Sequence, residues 1–500
     1  MACLKMLASL VLPVFASAYK HGDSTLILQI PQKPSPEIQS VDSTLFCYSI
    51  ELSYLVDYAG NLSHPNTLSH RLLSNIQSIT NIPPPIRVGG TTQNHATYLP
   101  NQTSALIQYF STPGADQPDS LTISSAFFEP FKTFPNGTKY IYGLNFFDGD
   151  AGKAQALLEA HIFPVNRINS TWSLETYVAQ WLDYTSAIST NLSSSDPLFQ
   201  AGVFTTASSG LQQLGSTPWT AETALTNGIA STGQAKTFAE HAYMGAACAG
   251  SPTPSLDQNL LNHTYLAHHL QYFATQSAAS VARGLSYVIG ETNSIACQGL
   301  AGVSDVFGAA LWAVDYAMHA AAKTNVSRLY FHGGTGYRYA AWQPVDVVSA
   351  NGSVSVEKGV RPLYYGHLVV ARALAGGEKK VVQLVGEERF MAYGVYRAGG
   401  GDGGEREALR HVVLLNLGGG AGNSTMEALG RTVKLPEVVG RRDLQVRRLA
   451  GLAVDSAEGI EWAGQTVDEM GRIVGKEKVE RVSGGGTVVV KSGEAVMVSY

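Results

Sequence analysis

A short apolar run, Ser286-Tyr287-Val288-Ile289-Gly290, ends on Glu291, and Thr292, Asn293 and Ser294 come next. β-Forming residues give way at once to polar ones, as in a buried strand that reaches an opening. A carboxylate in that position is either a satisfied structural group or a working one, because a buried Glu must be paired or neutralised. The pattern recurs along the chain. Glu51 lies near the end of Leu45 to Leu52, and Arg87 with Gly89 to Gln93 lies in and after the run from Ile86 to Gly90. Asn145 closes Lys139 to Asn145, and Glu240, His241 and Tyr243 end the run from Lys236. His332 closes Leu329 to His332 and leads into Gly333 to Tyr339. Carboxylates can serve as nucleophile or proton donor at a glycosidic bond. Tyrosines add a flat apolar face with a polar handle, which suits a sugar ring. A phosphate site would call for more Lys, Arg and backbone nests. No Cys/His spacing fits a metal, and nothing points to a cofactor.

These residues need a frame that gathers strand ends. Helical patterns separate the strand-like runs. Trp172, Tyr177, Trp181, Tyr184 and Ile188 share one face, and Phe307, Leu311, Val314, Met318 and Ala321 share another. Strand–helix alternation over about 300 residues predicts an α/β fold, a parallel sheet closed into a (β/α) barrel whose C-terminal face carries the working residues. A Rossmann sheet is the alternative, but no Gly-rich phosphate loop joins a strand to a helix.

After about Val345 the texture changes. Runs such as Lys380 to Val385, Met391 to Tyr396, His411 to Asn416 and Thr487 to Lys491 are divided by Gly-rich turns. Of the chain's 73 acidic and basic residues, 27 fall in its last hundred positions, which marks a boundary. An antiparallel β-sandwich is expected over 346–500, a barrel over 41–345, and a crossing strand within 19–40 that joins the sandwich.

Composition excludes some classes. The apolar fraction of 45% fits a globular protein, and the net charge of −5 leaves no basic face for nucleic acid or anionic lipid. Lys5, the apolar stretch Met6 to Phe15 and the site Ala16-Ser17-Ala18 read as a signal peptide over residues 1–18, followed by a secreted chain with no membrane span. Nine Asn-x-Ser/Thr sequons, at Asn61, Asn101, Asn136, Asn169, Asn191, Asn262, Asn325, Asn351 and Asn423, fit a glycosylated surface. Cys47 lies in an apolar run and reads as core, while Cys248 and Cys297 sit in Gly/Ala-rich loops and could pair.

Three stretches carry a specific resemblance. Gly290-Glu291-Thr292-Asn293-Ser294, the helix start from Gly302 to Trp312, and Phe331-His332-Gly333-Gly334-Thr335-Gly336-Tyr337-Arg338-Tyr339 resemble secreted fungal members of glycoside hydrolase family 79, the β-glucuronidases related to heparanases. Arg87 to Gln93 resembles that family's second strand and Phe46 to Gly60 its first. The resemblance covers nearly the whole chain after the leader. It implies a (β/α)8 TIM barrel with a β-sandwich built from both chain ends, and retaining hydrolysis of a glycan that contains glucuronic acid. Carried over, it makes Glu291 the nucleophile at the end of strand 7, with Asn293 and Tyr243 as its polar neighbours. It also implies a uronate grip at Gly336 and Tyr337, with His241 in the substrate-binding mouth.

One part of the pattern is missing. The family's acid/base is the Glu of an Asn-Glu-Pro motif closing strand 4, and this sequence contains no Asn-Glu-Pro. Between Asn145 and the helix near Trp172 there is room for a helix over Gly149 to Ala160 and then only His161-Ile162-Phe163-Pro164-Val165, so strand 4 reads as truncated. Three explanations stand: a coding segment absent from the chain, a member that binds sugar without turnover, or a substitute carboxylate, with Glu240 best placed. The first predicts an in-frame genomic segment encoding Asn-Glu-Pro between the codons for Phe163 and Asn169. Sequencing that interval decides it, and an uninterrupted interval rejects it.

Overall fold

The computed structural model describes residues 25–112, 115, 117–145, 163–165, 173–192, 199–205, 219–248, 250–348, 352–399, 408–419, 430–437 and 443–500. The leader expected over residues 1–18, the helix expected over Gly149 to Ala160, and Trp172 lie outside them. Eight strands are parallel: β1 (Phe46–Glu51), β2 (Ile86–Gly89), β3 (Tyr140–Asn145), β4 (Phe163–Val165), β5 (Phe199–Phe204), β6 (Ala235–Tyr243), β7 (Ser286–Asn293) and β8 (Val326–Gly333). Their order in the sheet is β4-β3-β2-β1-β8-β7-β6-β5. Chain order is therefore kept around the ring, and β8 pairs with β1. This is the (β/α)8 arrangement with one open seam. Among the described residues no ladder joins β4 to β5, although their Cα atoms approach within 8 Å. Strand 4 survives as three residues paired with β3, Gly143 opposite Phe163 and Asn145 opposite Val165.

The barrel interior is layered. Cys47, Val203, Ala239, Val288 and Tyr330 form a dry inner cluster with Ile141 against it. Side chains on a strand alternate, so residues two steps further on face the same way. Those residues are Ser49 above Cys47, His241 above Ala239 and His332 above Tyr330. On β7 the step is three. The β6–β7 ladder pairs Glu240 with Ile289 and then His241 with Glu291, so Gly290 is an extra, unpaired residue. Such a bulge re-aims the side chains beyond it. Without it Gly290 would face inward and Glu291 outward.

Helices α1 (Thr67–Thr80), α2 (Leu174–Leu192), α3 (Ala221–Thr226), α4 (His263–Val281), α5 (Phe307–Lys323) and α6 (Pro362–Leu374) surround the sheet. α5 is buried on every side from Phe307 to Ala321, because the C-terminal sheet covers its outer face. α6 lies beyond Val345, where helices were expected to end. It packs on α1 and α5, so the barrel's helical layer runs to Leu374 and the antiparallel part starts at Lys379. In that part Lys379–Gly386, Phe390–Arg397, Leu409–Asn416, Glu494–Ser499, Asp443–Ala450 and Glu461–Trp462 form one sheet in that order. A second sheet stacks Leu26–Ile27, Arg431–Lys434 and Thr487–Val490. The two enclose a separate core that includes Leu28, Leu414, Val446 and Val496. Cys248 and Cys297 form a disulfide with Cα atoms 5.5 Å apart, and Cys47 is a free, buried core residue.

A buried carboxylate ties the two parts together. Asp315 on α5 is fully buried and accepts from Tyr393 Oη at 2.5 Å and from His263 Nδ1 at 2.9 Å. His263 Nε2 lies 2.8 Å from the Gln383 amide nitrogen of the C-terminal sheet. Removing a donor leaves a buried carboxyl oxygen under-satisfied. Tyr393→Phe is therefore expected to cost about 1.5–3 kcal/mol in urea unfolding; a change below ~0.5 kcal/mol would contradict that role.

Candidate active site

The strand ends meet at the mouth of the barrel around Glu291. Its Oε2 accepts from Arg87 Nη1 at 2.6 Å and its Oε1 from the Tyr243 hydroxyl at 2.8 Å. His241 Nδ1 stands 3.6 Å from Oε1 and His332 Nδ1 3.9 Å from Oε2. The side chain is 13% exposed, so one edge of the carboxylate remains open to a ligand. Burial alone would raise its pKa. His332 and His241, when protonated, and Arg87 outweigh burial and hold the carboxyl well below the usual carboxylate range. Burial pushes His241 itself down to about 4, so it is neutral at neutral pH. Arg87 is then the standing counter-charge for Glu291.

Arg87 is 2% exposed and donates to Ser49 Oγ at 3.0 Å as well as to Glu291. It reaches Glu291 over Gly89, where an added Cβ would sit 2.5 Å from Arg87 Nε. Ser49 Oγ in turn lies 2.8 Å from His332 Nδ1, and His332 Nε2 lies 3.3 Å from Glu51 Oε2. Glu51 also accepts from the Thr92 backbone N–H, the Thr92 hydroxyl and the Gln117 amide. A run of polar contacts thus joins Glu51, His332, Ser49, Arg87 and Glu291 across β1, β8, β2 and β7. The glycine-rich segment after β2 makes this possible. Gly90, at φ +101, approaches so closely that a Cβ there would lie 2.3 Å from the Glu51 carboxylate.

The predicted site residues separate into groups. Glu291, Tyr243 and His241 converge at the mouth. Asn293 does not present its amide to a ligand. Its nitrogen donates to the carbonyls of His332 and Tyr339, and its oxygen accepts from the Ser294 N–H, so it clamps the 333–339 turn onto β7. Tyr337 is buried in a cluster with Tyr339, Tyr54 and Tyr243, and its hydroxyl accepts from the Gln117 amide at 2.8 Å. The Gly336 N–H, expected to face a uronate, donates to Gln343 Oε1 at 3.0 Å. Glu240 has to be corrected. It alternates with His241 and faces the helices, where it accepts from the Ala221 N–H and from the hydroxyls of Tyr272 and Tyr287. A group on that side cannot protonate a sugar held at Glu291. Among residues outside the predicted set, Gln117 lies in an irregular segment with no periodicity, and Ser49 reads from sequence as one more strand residue.

Among the described residues no group of three or more His, Cys, Asp or Glu could hold a metal, and no helix is long and apolar enough to cross a membrane. The chain's relatives say what such a mouth belongs to. Residues 392–497 match the glycosyl hydrolase family 79 C-terminal beta domain. The chain is 30% identical over 462 residues to a β-glucuronidase of Aspergillus niger, covering 83% of this chain and 81% of that protein. It is 33% identical over 365 residues to a β-glucuronidase of Neurospora crassa, covering 66% of this chain and 63% of that one. The solved 4-O-α-L-rhamnosyl-β-D-glucuronidase of Fusarium oxysporum 12S, a Rha-GlcA complex, has the same fold, with a TM-score of 0.79 at 23% identity over 95% of this chain and 100% of that one. Barrel, C-terminal sheets and these relatives together define a glycoside hydrolase. The chain belongs to glycoside hydrolase family 79 and is β-glucuronidase-like.

Glu240 supplies a test of the wall behind the mouth. Burial is the largest cause acting on it and pushes its carboxyl from the ordinary 4.5 up to about 7, against hydrogen bonds from Tyr287, Ala221 and Tyr272 that lower it. The folded chain therefore keeps a proton there that the unfolded chain releases. That stability is present below pH 4.5 and is lost as pH rises through about 7. Glu240→Gln should flatten the pH dependence of unfolding over that window by roughly 3 kcal/mol at most, read from urea midpoints. An unchanged pH slope would contradict the assignment.

Proposed function

We propose that the barrel mouth binds the terminal glucuronic or 4-O-methylglucuronic acid of a plant or extracellular glycan, with Glu291 as the nucleophile of a retaining β-glucuronidase. One observation carries the reading: Glu291 is held ionised, between Arg87 and Tyr243, with an open edge. The Tyr337 hydroxyl is the partner for the uronate carboxylate. Gln117 fills its acceptor side and leaves its proton free to donate. The leader at 1–18, the Cys248–Cys297 bond and exposed sequons at Asn61, Asn101 and Asn136 support an extracellular setting.

In the first step a Glu291 oxygen bonds to the anomeric carbon while the bond to the leaving oxygen breaks and its electron pair departs with the aglycone. A retaining enzyme normally places a second carboxyl roughly 5–5.5 Å away to protonate that oxygen. In this chain Val165 is followed by Asn166 and Arg167, and no carboxylate stands at the end of β4. Such a site favours leaving groups that are stable as anions. The second step lacks a β4 carboxylate to activate water, whereas an anionic nucleophile needs no such help.

With 4-nitrophenyl β-glucuronide we expect a burst of nitrophenolate, then slow turnover that azide accelerates about tenfold or more while forming β-glucuronosyl azide. Glu291→Gln should abolish the burst. A burst that survives that change would remove Glu291 from the role. The absence of a carboxylate on β4 also favours a second reading, a lectin-like member, which predicts glucuronide affinity with no burst in the unaltered chain.

A further inference from the structure

We propose a second carbohydrate site on the outer wall of the barrel: a groove that takes a polysaccharide with a neutral backbone and spaced uronate groups. It rests on the reading that this protein works on acidic glycans, but it uses none of the residues around Glu291. Two adjoining cavities, of about 580 and 330 Å³, share Pro65 and Thr67 at the start of α1. α1 follows the loop that leaves the end of β1, so the groove opens towards the rim of the barrel.

The two halves differ in charge. The larger is lined by His70, Arg71 and Lys132 with no carboxylate among its lining residues. That is a local excess of positive charge on a chain whose net charge is −5. Lys132 is exposed and forms no ion pair among the described residues. Arg71 donates from Nη1 to the Met470 carbonyl at 2.7 Å, which anchors the guanidinium beside the second cavity. A planar guanidinium fork matches a uronate carboxylate, and an ammonium adds a mobile point charge. Leu62, 55% exposed, and Pro65 give the sugar ring an apolar wall. The smaller cavity sets Lys358 beside Asp346 and Glu469, a lining with one excess negative charge that disfavours a second uronate and suits the hydroxyls of an uncharged unit. A chain laid along both would seat a charged branch in one and a neutral backbone residue in the other.

The test is retardation of the full-length chain in native gels that contain glucuronoxylan or, as control, a xylan without uronate. It uses the Asn61→Gln, Glu291→Gln background, so that no glycan on that sequon fills the groove and nothing is hydrolysed. We expect retardation by the acidic polymer only. Arg71→Ala with Lys132→Ala should weaken the apparent affinity about tenfold or more, and Arg71→Lys with Lys132→Arg should restore most of it. In the Glu291 parent the alanine pair should leave turnover of 4-nitrophenyl β-glucuronide unchanged. Equal retardation by both polymers, or no loss in the alanine pair, overturns the groove. Groove binding without any aryl glucuronide turnover would overturn the proposed hydrolase instead and leave the groove standing.

Discussion

The ladder between β6 and β7 slips by one residue at Gly290, and the rest of the site depends on that slip. Inward positions on the neighbouring strands follow a strict alternation from the apolar layer of Cys47, Ala239 and Tyr330 up to Ser49, His241 and His332. Glu291 would break that parity without the extra residue. An inward Gly290 would leave Arg87 buried without its carboxylate, and an outward Glu291 would be a charge among helices. Either costs several kcal/mol. The bulge brings both charges to the same place. Gly290 also fits sterically, since a Cβ there would sit 3.0 Å from the Ala239 Cβ.

Around that pair the mouth is satisfied from behind and open in front. Glu51, Thr92, His332 and Ser49 form the rear, joined by contacts from Arg87 to Ser49, from Ser49 to His332, and from His332 and Thr92 to Glu51. Asn293 locks the turn that carries Tyr337 and Tyr339. The site is therefore fixed by its backing before a ligand arrives, which is what preorganised charge stabilisation requires.

Strand ends were legible in the sequence because β-forming runs stop abruptly on polar residues, and Glu291, His241 and Tyr243 emerged that way. Parity was not legible. Glu240 and His241 are adjacent, and composition cannot say which one faces the axis; only the register against β7 does. Asn293 read as a polar neighbour of Glu291 because sequence does not show that two carbonyls already claim its nitrogen. α6 escaped notice because it is buried from Pro362 to Ala371 and thus lacks the one-sided periodicity that marks a surface helix. The loss at strand 4 was readable because it is a matter of length: a short stretch between two recognisable flanks.

The open seam has a mechanical consequence. A closed barrel carries load around its circumference through unbroken ladders, whereas a ring cut at one place flexes about the point opposite the cut. Among the described residues the cut lies between β4 and β5, and the opposite side is the β1–β8 pair. Tyr177 of α2 holds the strand on one side of that cut. Its hydroxyl accepts from the Gly202 N–H at 2.9 Å and lies 3.3 Å from the Gly202 carbonyl. One phenol thereby clips the seam strand to its own helix. Opening at the cut would displace β4 and β5 most, and Ser49 and His332, at the hinge, least.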